Sequence, residues 1–192
     1  AGNIDIVSLP VGIHEHVPLA IACLNAGHDV LCEKPLTAVV QEADRLLAAC
    51  RATGRRVVIG YQAIFTHTIQ TLKTRLLGGK LGRVKSIRVK GGWPRDDIYY
   101  GRNAWAGRLK LEEHWVLDSP INNAFAHDVN NPLYLCGPSL HESAIPASVQ
   151  AECSGASSLG SYSTGFPPSP ILYAQLPWYY SPSTLLFHQR KS

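Results

Sequence analysis

The chain has 192 residues, of which 45% are hydrophobic and 17% charged, and its net charge is +4. The hydrophobic share excludes an intrinsically disordered chain, and the mild, scattered charge argues against binding to nucleic acid or to an anionic membrane. No apolar run reaches 18 residues, so no membrane-spanning helix is predicted. The five cysteines form no C-x-x-C pair, which predicts free thiols in a reducing, cytoplasmic location.

The first 60 residues alternate between short apolar runs and amphipathic segments. Strands are predicted at residues 5–9, 30–32 and 57–59. Helices are predicted at about 16–26 and 37–53, with Gly27 and Gly54 as left-handed caps. Because the connections are short and the strands uniformly apolar, this pattern predicts a parallel sheet covered by helices on both faces.

Local chemistry predicts how the two helices begin and which side they bury. Pro18 falls in the first turn of the first helix, where its missing N–H is tolerated, and Thr37 is predicted as the N-cap of the second. The buried stripe of the second helix is predicted to be Val39, Ala43, Leu46 and Cys50, with Val40 and Leu47 beside it.

The pattern of apolar and polar residues changes after residue 60. A third helix is predicted with an apolar stripe at Ile69, Leu72 and Leu76 and with Lys73 and Arg75 in its last turns. Residues 84–90 alternate between apolar and polar, which predicts a half-exposed strand of an antiparallel sheet. We therefore predict a domain boundary near residues 60–65.

The remaining segments give weaker signals. Residues 91–117 predict a long irregular segment, and a helix is predicted from about Ser119 on which Asn123 and His127 share a face. Pro132 is expected to kink or end that helix. A strand is predicted at 148–153, whereas the Ser- and Pro-rich tail at 153–192 is predicted to be irregular.

The sharpest motif is Glu33-Lys34-Pro35, directly after the second strand. Ligands of open α/β sheets bind beyond the carboxyl ends of the strands, and the Lys34 ammonium can stabilise an alkoxide or hold a hydroxyl there. Pro35 fixes the turn, and the bond before it is a candidate for the cis form. The alternative for an isolated tripeptide is a surface lysine at a strand end, held by Glu33.

The neighbouring strings Ser8–His14 and Ala26–Val30, taken with this tripeptide, resemble the glucose–fructose oxidoreductase, inositol dehydrogenase and rhizopine-catabolism (Gfo/Idh/MocA) family. The resemblance continues at residues 60–62 and 77–84 and spans roughly residues 4–136. It implies the later half of a Rossmann domain at 1–62, a doubly wound α/β sheet, and then the start of an α+β substrate and dimerisation domain at 63–152. The implied function is NAD(P)-dependent hydride transfer on a sugar-like or polyol substrate, in a parent protein that is a homo-oligomer.

The resemblance also implies roles for individual residues. Lys34 would be the catalytic lysine and His127 the proton carrier, while Asn123 stands where the family has Asp and would orient a substrate hydroxyl. The residues along NAD or NADP would be Ser8, Pro10, His14, Glu33, Lys34, Pro35 and Gln62. The residues around the substrate would be Trp93, Arg95, Tyr99, Asn103, Trp105 and Arg108, although core packing explains aromatic residues equally well.

One departure from the family is large. The phosphate-binding string G-x-G-x-x-G is absent, and it would precede residue 1, so we expect an internal fragment of a longer protein. The absence of Met agrees with this, although removal of an initiator Met explains the start equally well. The alternative function is an inactive remnant, or a sugar-binding or oligomerisation module. His14-x-His16 lacks a third ligand at a fixed spacing, so no metal is predicted.

Overall fold

The computed structural model describes residues 4–91, 96–154, 169–178 and 181–189. The chain divides into two units. Unit 1 comprises Ala1–Tyr61 and Asp96–Asn123, and unit 2 comprises Gln62–Arg95 and Ala124–Ser192. The domain limits predicted at residues 62 and 152 stay a prediction.

Unit 1 is built on a three-stranded parallel sheet with the strand order β1-β2-β3. The strands are β1 (Ile6–Leu9), β2 (Asp29–Cys32) and β3 (Val57–Ile59), connected by helices α1 (Ile13–Asn25) and α2 (Val40–Thr53). In the register, Leu9 pairs with Cys32 and Cys32 pairs with Ile59. The carboxyl ends of all three strands therefore meet at one edge of the sheet.

Both helices pack on the same face of this sheet. Their shared core consists of Leu9, Val17, Ala20, Leu24, Val30, Cys32 and Leu46. On the other face Ile6, Leu31 and Val58 are 62%, 42% and 53% exposed. The prediction of two covered faces is therefore wrong for the described residues, because successive right-handed crossovers in one direction place both helices on one side.

The helix starts differ from their predictions. Helix α1 begins at Ile13, so Pro18 lies inside it, and the His14 carbonyl loses its helical N–H partner. Helix α2 begins at Val40, with Val39 rather than Thr37 as its N-cap, because the Thr37 hydroxyl donates to the Glu42 carboxylate. The predicted left-handed caps are confirmed, since φ is +89° at Gly27 and +67° at Gly54.

The stripe predicted for α2 is only partly right. Leu46 is buried, and Cys50 packs against the core. Val40 and Leu47, however, are 73% and 51% exposed. Val40 and Leu47 therefore lie outside the buried stripe, which is narrower than the sequence predicts.

The core thiol makes the stability of the protein sensitive to alkali. Burial, assisted by the negative charge of Glu33, raises the pKa of Cys32 from its ordinary value of 9.0 to about 12. Between pH 9 and 12 the unfolded chain has lost this proton while the native state keeps it, so the free energy of unfolding falls as the pH rises. Urea titrations should show a loss of about 2–3 kcal/mol between pH 8 and 11 that Cys32→Ala reduces. Equal losses in both proteins would contradict this prediction.

The second part of unit 1 is mostly loop. It contains α4 (Asp97–Gly101) and the short antiparallel pair β5 (Lys110–Leu111) and β6 (His114–Trp115). The Asp96 carboxylate caps α4 by accepting from the Tyr99 N–H at 2.8 Å. This agrees with the long irregular segment predicted from the sequence.

The predicted helix from Ser119 is two elements. Pro120–Ala124 forms one π-helical turn, and α5 (Ala126–Leu135) follows after Phe125. The four-residue spacing predicts that Asn123 and His127 share one continuous α-helix. This prediction is wrong, because Asn123 lies in the π-helical turn and His127 in α5. The expected early end at Pro132 is also wrong, since α5 continues to Leu135.

Unit 2 contains a 3₁₀ turn at Gln62–Phe65, the helices α3 (His67–Leu77) and α5, and a four-stranded sheet. Its strands are β4 (Ser86–Gly91), β7 (Ser148–Ser154), β8 (Ser169–Trp178) and β9 (Ser181–Gln189), in the order β4-β9-β8-β7. The antiparallel sheet predicted here is confirmed for β7, β8 and β9, which pair antiparallel. The prediction is wrong for β4 alone, because β4 pairs with β9 in parallel.

The irregular tail predicted at 153–192 is also wrong, since β8 and β9 lie within it. The prolines that argued against strands stand near their ends: Pro170 is second in β8 and Pro182 second in β9. At such positions a missing N–H removes little ladder bonding. Pairing across the sheet therefore overrides the local preference of the sequence.

Lys73 holds the two helices of unit 2 together. It was predicted as a cation in the last turns of α3, but it is fully buried. Its ammonium donates to the carbonyl oxygens of Tyr134 at 2.6 Å and Gly137 at 2.5 Å. These oxygens lie at the carboxyl end of α5, where helical N–H partners run out, and burial lowers the pKa of Lys73.

Candidate functional site

The candidate site lies in unit 1, at the edge where the three parallel strands end. Lys34 follows β2 after Glu33, and the Lys34–Pro35 peptide bond is cis, as the sequence suggested. Glu33 is exposed, and its carboxylate accepts from the Lys34 backbone N–H at 3.2 Å. Gly60, just beyond β3, lies so close that a Cβ there would be 3.3 Å from this carboxylate.

The Lys34 ammonium makes two hydrogen bonds to a single residue. It donates to the backbone oxygen of Asn123 at 2.8 Å and to the side-chain oxygen at 2.9 Å. Lys34 and Asn123 are both half-buried. The structure thus brings together two of the three predicted catalytic residues. These charge-assisted hydrogen bonds hold the Lys34 ammonium at the edge of the sheet.

Asp118 extends this contact by one more residue. Its carboxylate accepts from the Asn123 side-chain N–H at 2.9 Å and from the Gly107 backbone N–H at 2.7 Å. It is only 7% exposed. Asp118 is not among the site residues predicted from the sequence. The signal that points to it is a carboxylate directly after the apolar pair Val116-Leu117.

The predicted cofactor residue His14 and the predicted substrate residue Trp105 both lie beside Gly12. A Cβ on Gly12 would lie 2.8 Å from His14 Cε1 and 3.1 Å from Trp105 Nε1. The rings of His14 and His114 have centroids 6.4 Å apart. His14 Nδ1 is buried and has no hydrogen-bond partner among the residues that the structure describes.

The other predicted cofactor residues are more scattered. Pro10 is exposed just after β1, and Ser8 is exposed on the uncovered face of the sheet. Pro35 is buried, and its carbonyl oxygen lies 2.8 Å from Nδ1 of the buried His16. Gln62 is exposed at the start of the 3₁₀ turn in unit 2. The His16 ring therefore contacts the backbone of the turn that follows Lys34.

The predicted substrate residues divide into three groups. Trp93 and Arg95 lie outside the described residues. Tyr99 is covered by the Arg102 guanidinium, 3.6 Å above its ring, and the same guanidinium is 5.2 Å from the Trp105 ring. Asn103 and Arg108 are exposed, but the Asn103 side-chain oxygen accepts from the backbone N–H groups of Trp105 and Ala106 at 3.1 and 2.8 Å. Asn103 therefore shapes the loop.

His127 belongs to unit 2, where it is half-buried near the start of α5. Burial raises the pKa of the neighbouring Asp128 carboxyl. The predicted role of His127 as the proton carrier stays a prediction.

Two features are absent from the part of the chain that the structure describes. Within it, no three His, Cys, Asp or Glu side chains are grouped so that they could hold a metal ion. No helix there combines the length and the apolar character needed to cross a membrane.

Comparisons with known proteins place these observations in a family. The model of an oxidoreductase family with an NAD-binding Rossmann fold matches residues 1–61. Inositol 2-dehydrogenase 1 of Saccharopolyspora erythraea is 40% identical over 81 residues, which are 42% of this chain and 24% of that protein. Inositol 2-dehydrogenase 2 of the same organism is 32% identical over 130 residues, which are 65% of this chain and 38% of that protein.

Solved structures share the fold. The WlbA dehydrogenase of Chromobacterium violaceum, in complex with NADH and UDP-GlcNAcA, aligns with a TM-score of 0.78 at 21% identity, over 98% of this chain and 49% of its own. The chain thus spans about half of this solved relative and less than half of the two curated ones. The matches confirm the predicted fold class and the family resemblance.

Proposed function

Because residues 1–61 match an oxidoreductase family with an NAD-binding Rossmann fold and the sequence resembles the Gfo/Idh/MocA family, we propose that the chain forms the nicotinamide side of an NAD(P)-dependent oxidoreductase acting on a sugar-like or polyol substrate. The observation that carries this proposal is the Lys34 ammonium, held at the carboxyl edge of the parallel sheet by both oxygens of Asn123. Ligands of such sheets bind beyond this edge, so the cation is placed to contact a reacting oxygen.

The residues at this edge suit one end of a dinucleotide. Bound NAD or NADP supplies the hydride acceptor or donor. Pro10 and the segment Glu33–Pro35 follow the ends of neighbouring strands. The unpartnered Nδ1 of His14 is a buried polar atom that needs a hydrogen-bond partner, which a bound cofactor would provide. Ser8 and Gln62 are proposed contacts from the family resemblance alone.

The chemistry of the chain's own residues follows from their donor and acceptor groups. Lys34 donates to the substrate oxygen and stabilises negative charge that develops on it. Asn123 offers an amide, which orients a hydroxyl but takes no proton at neutral pH. A neutral imidazole accepts a proton near pH 7, so we assign the proton transfer to His127. Tyr99, Trp105 and the other predicted substrate residues stay proposals.

A second candidate is a sugar-binding or oligomerisation module without turnover. Residues 1–192 include no G-x-G-x-x-G string, whose backbone N–H groups hold the pyrophosphate in dinucleotide-binding domains, so cofactor binding by these residues alone has to be measured. Such a module would keep the contacts to the substrate without binding the cofactor.

Calorimetric titration of the purified chain with NADH and with NADPH separates the two candidates. We expect saturable binding that Lys34→Ala weakens about tenfold or more, since hydrogen bonds to charged groups contribute roughly 1.5–3 kcal/mol. Lys80→Ala is the matched control, because Lys80 is an exposed lysine in unit 2. Absence of binding by a folded chain would contradict the oxidoreductase function for this chain and support the module.

A further inference from the structure

Asp118 is linked to Lys34 through a single residue, Asn123, and the roles proposed above do not use it. It is 7% exposed, and both of its oxygens are engaged, one by Asn123 Nδ2 at 2.9 Å and one by Gly107 N at 2.7 Å. A buried carboxylate costs free energy unless donors compensate its charge. Here two N–H donors compensate the charge, and one of them belongs to the Asn123 amide that also contacts Lys34.

The chemistry of its neighbours permits one orientation of the amide between them. Lys34 is a donor only, and an ionised Asp118 is an acceptor only. The Asn123 side chain therefore turns its oxygen to Lys34 and its nitrogen to Asp118, as observed. If the amide rotated by half a turn, its N–H groups would face the Lys34 ammonium and its oxygen would face the Asp118 carboxylate. Both hydrogen bonds would then be lost.

The carboxylate is itself held rigidly. Gly107 has φ of +70°, and a Cβ there would lie 2.6 Å from the Tyr100 ring, so the backbone that donates to Asp118 is closely packed. The Asp118 backbone N–H also donates to the Arg108 oxygen at 3.0 Å. A side chain fixed at both its backbone and its carboxylate is suited to orient a neighbour.

We propose that Asp118 is a positioning residue, which acts on Lys34 through the Asn123 amide. Asp118 holds the Asn123 amide oxygen toward the Lys34 ammonium. Its negative charge, one residue away from that ammonium, favours the charged form of Lys34 and keeps its orientation fixed. The meaning of this arrangement for catalysis rests on the proposed function. The effect on Lys34 itself does not, and it is measured without any cofactor.

Two variants isolate the effect. Asp118→Asn keeps the shape but provides one acceptor oxygen for two donors, so the Asn123 amide is no longer fixed. The double variant Asp118→Asn with Asn123→Asp restores every pairing. The new amide accepts from Gly107 N with its oxygen and donates with its nitrogen to the new carboxylate, whose other oxygen faces Lys34.

The probe is competitive labelling of amines by a limiting amount of acetic anhydride between pH 7 and 10, quantified at Lys34 by mass spectrometry. Only the neutral amine reacts, so the pH profile reports how strongly the ammonium is held. We expect Asp118→Asn to raise Lys34 labelling at pH 8 by roughly 3- to 10-fold, because a nearby opposite charge favours the charged form. The double variant places a carboxylate oxygen directly against Lys34, so labelling should fall to that of the unsubstituted chain or below it.

Two internal controls distinguish a loss of folding from a loss of Lys34 positioning. Labelling of exposed Lys80 should not change, and the fully buried Cys32 thiol of unit 1 should stay protected from iodoacetamide. If Asp118→Asn exposes Cys32, the double variant alone decides. Unchanged Lys34 labelling in a protected Asp118→Asn chain would overturn the proposal, and so would a double variant that labels as strongly as Asp118→Asn alone. The NADH titration judges the proposed function separately.

Discussion

Replacing Lys34 with Met is expected to lower kcat/KM for NAD(P)-dependent oxidation of polyols by about 10²–10³-fold. Methionine fills a similar volume but offers neither charge nor donors, so the substrate oxygen loses the group that stabilises its developing charge. Under the proposed function, steady-state kinetics over a panel of polyols measures the effect.

Lys80→Met is the matched control for this experiment, since it removes an exposed lysine outside unit 1. Its kinetics should equal those of the unsubstituted protein. If Lys34→Met retains full turnover, Lys34 has no catalytic role, and its two hydrogen bonds to Asn123 serve only to hold the segment 96–123 against the sheet of unit 1.

Gly137→Ala is expected to be the most destabilising single change in unit 2. A Cβ there would overlap the Glu142 carbonyl oxygen and lie 2.6 Å from its carbon and 2.8 Å from Ser143 Cα. These are backbone atoms that cannot rotate away, and movement of Gly137 would also weaken its contact with the Lys73 ammonium. We expect a loss of about 3–5 kcal/mol, or a fall in Tm of roughly 10 °C.

Thermal unfolding of Gly137→Ala and Gly101→Ala side by side checks this prediction. Gly101 is exposed, and a Cβ there meets no atom within 4 Å, so its replacement should change Tm by no more than about 1–2 °C. Equal Tm values for the two variants would show that the loop at Glu142 relaxes freely.

The features of unit 1 that could be predicted from the sequence are those set by short-range patterns. Apolar runs of three or four residues between amphipathic segments predict β1 to β3, and Gly27 and Gly54 mark helix ends because few other residues adopt positive φ. The position of Lys34 follows from the strand before it. The start of α1 was missed because Pro18, which usually marks a first turn, is tolerated here inside the helix.

The features that could not be predicted depend on residues distant in the chain. The strand β9 forms because β4 and β8 supply its hydrogen-bond partners, and nothing local in a Ser- and Pro-rich string shows them. The burial of Lys73 depends on carbonyl groups some 60 residues later. The role of Asp118 likewise needs the Gly107 N–H and the Asn123 amide in place, and only the packed structure brings them together.

The parallel pairing of β4 with β9 bears on the order in which the chain folds during synthesis. Ser86 pairs with Thr184, and Gly91 pairs with Gln189, so β4 leaves the ribosome long before its partner exists. Unit 1 is complete once Asn123 has emerged. Closing such distant contacts is slow because of its entropy cost. We therefore expect unit 1 to become protease-resistant on stalled nascent chains well before unit 2, whose sheet must wait for the last strand.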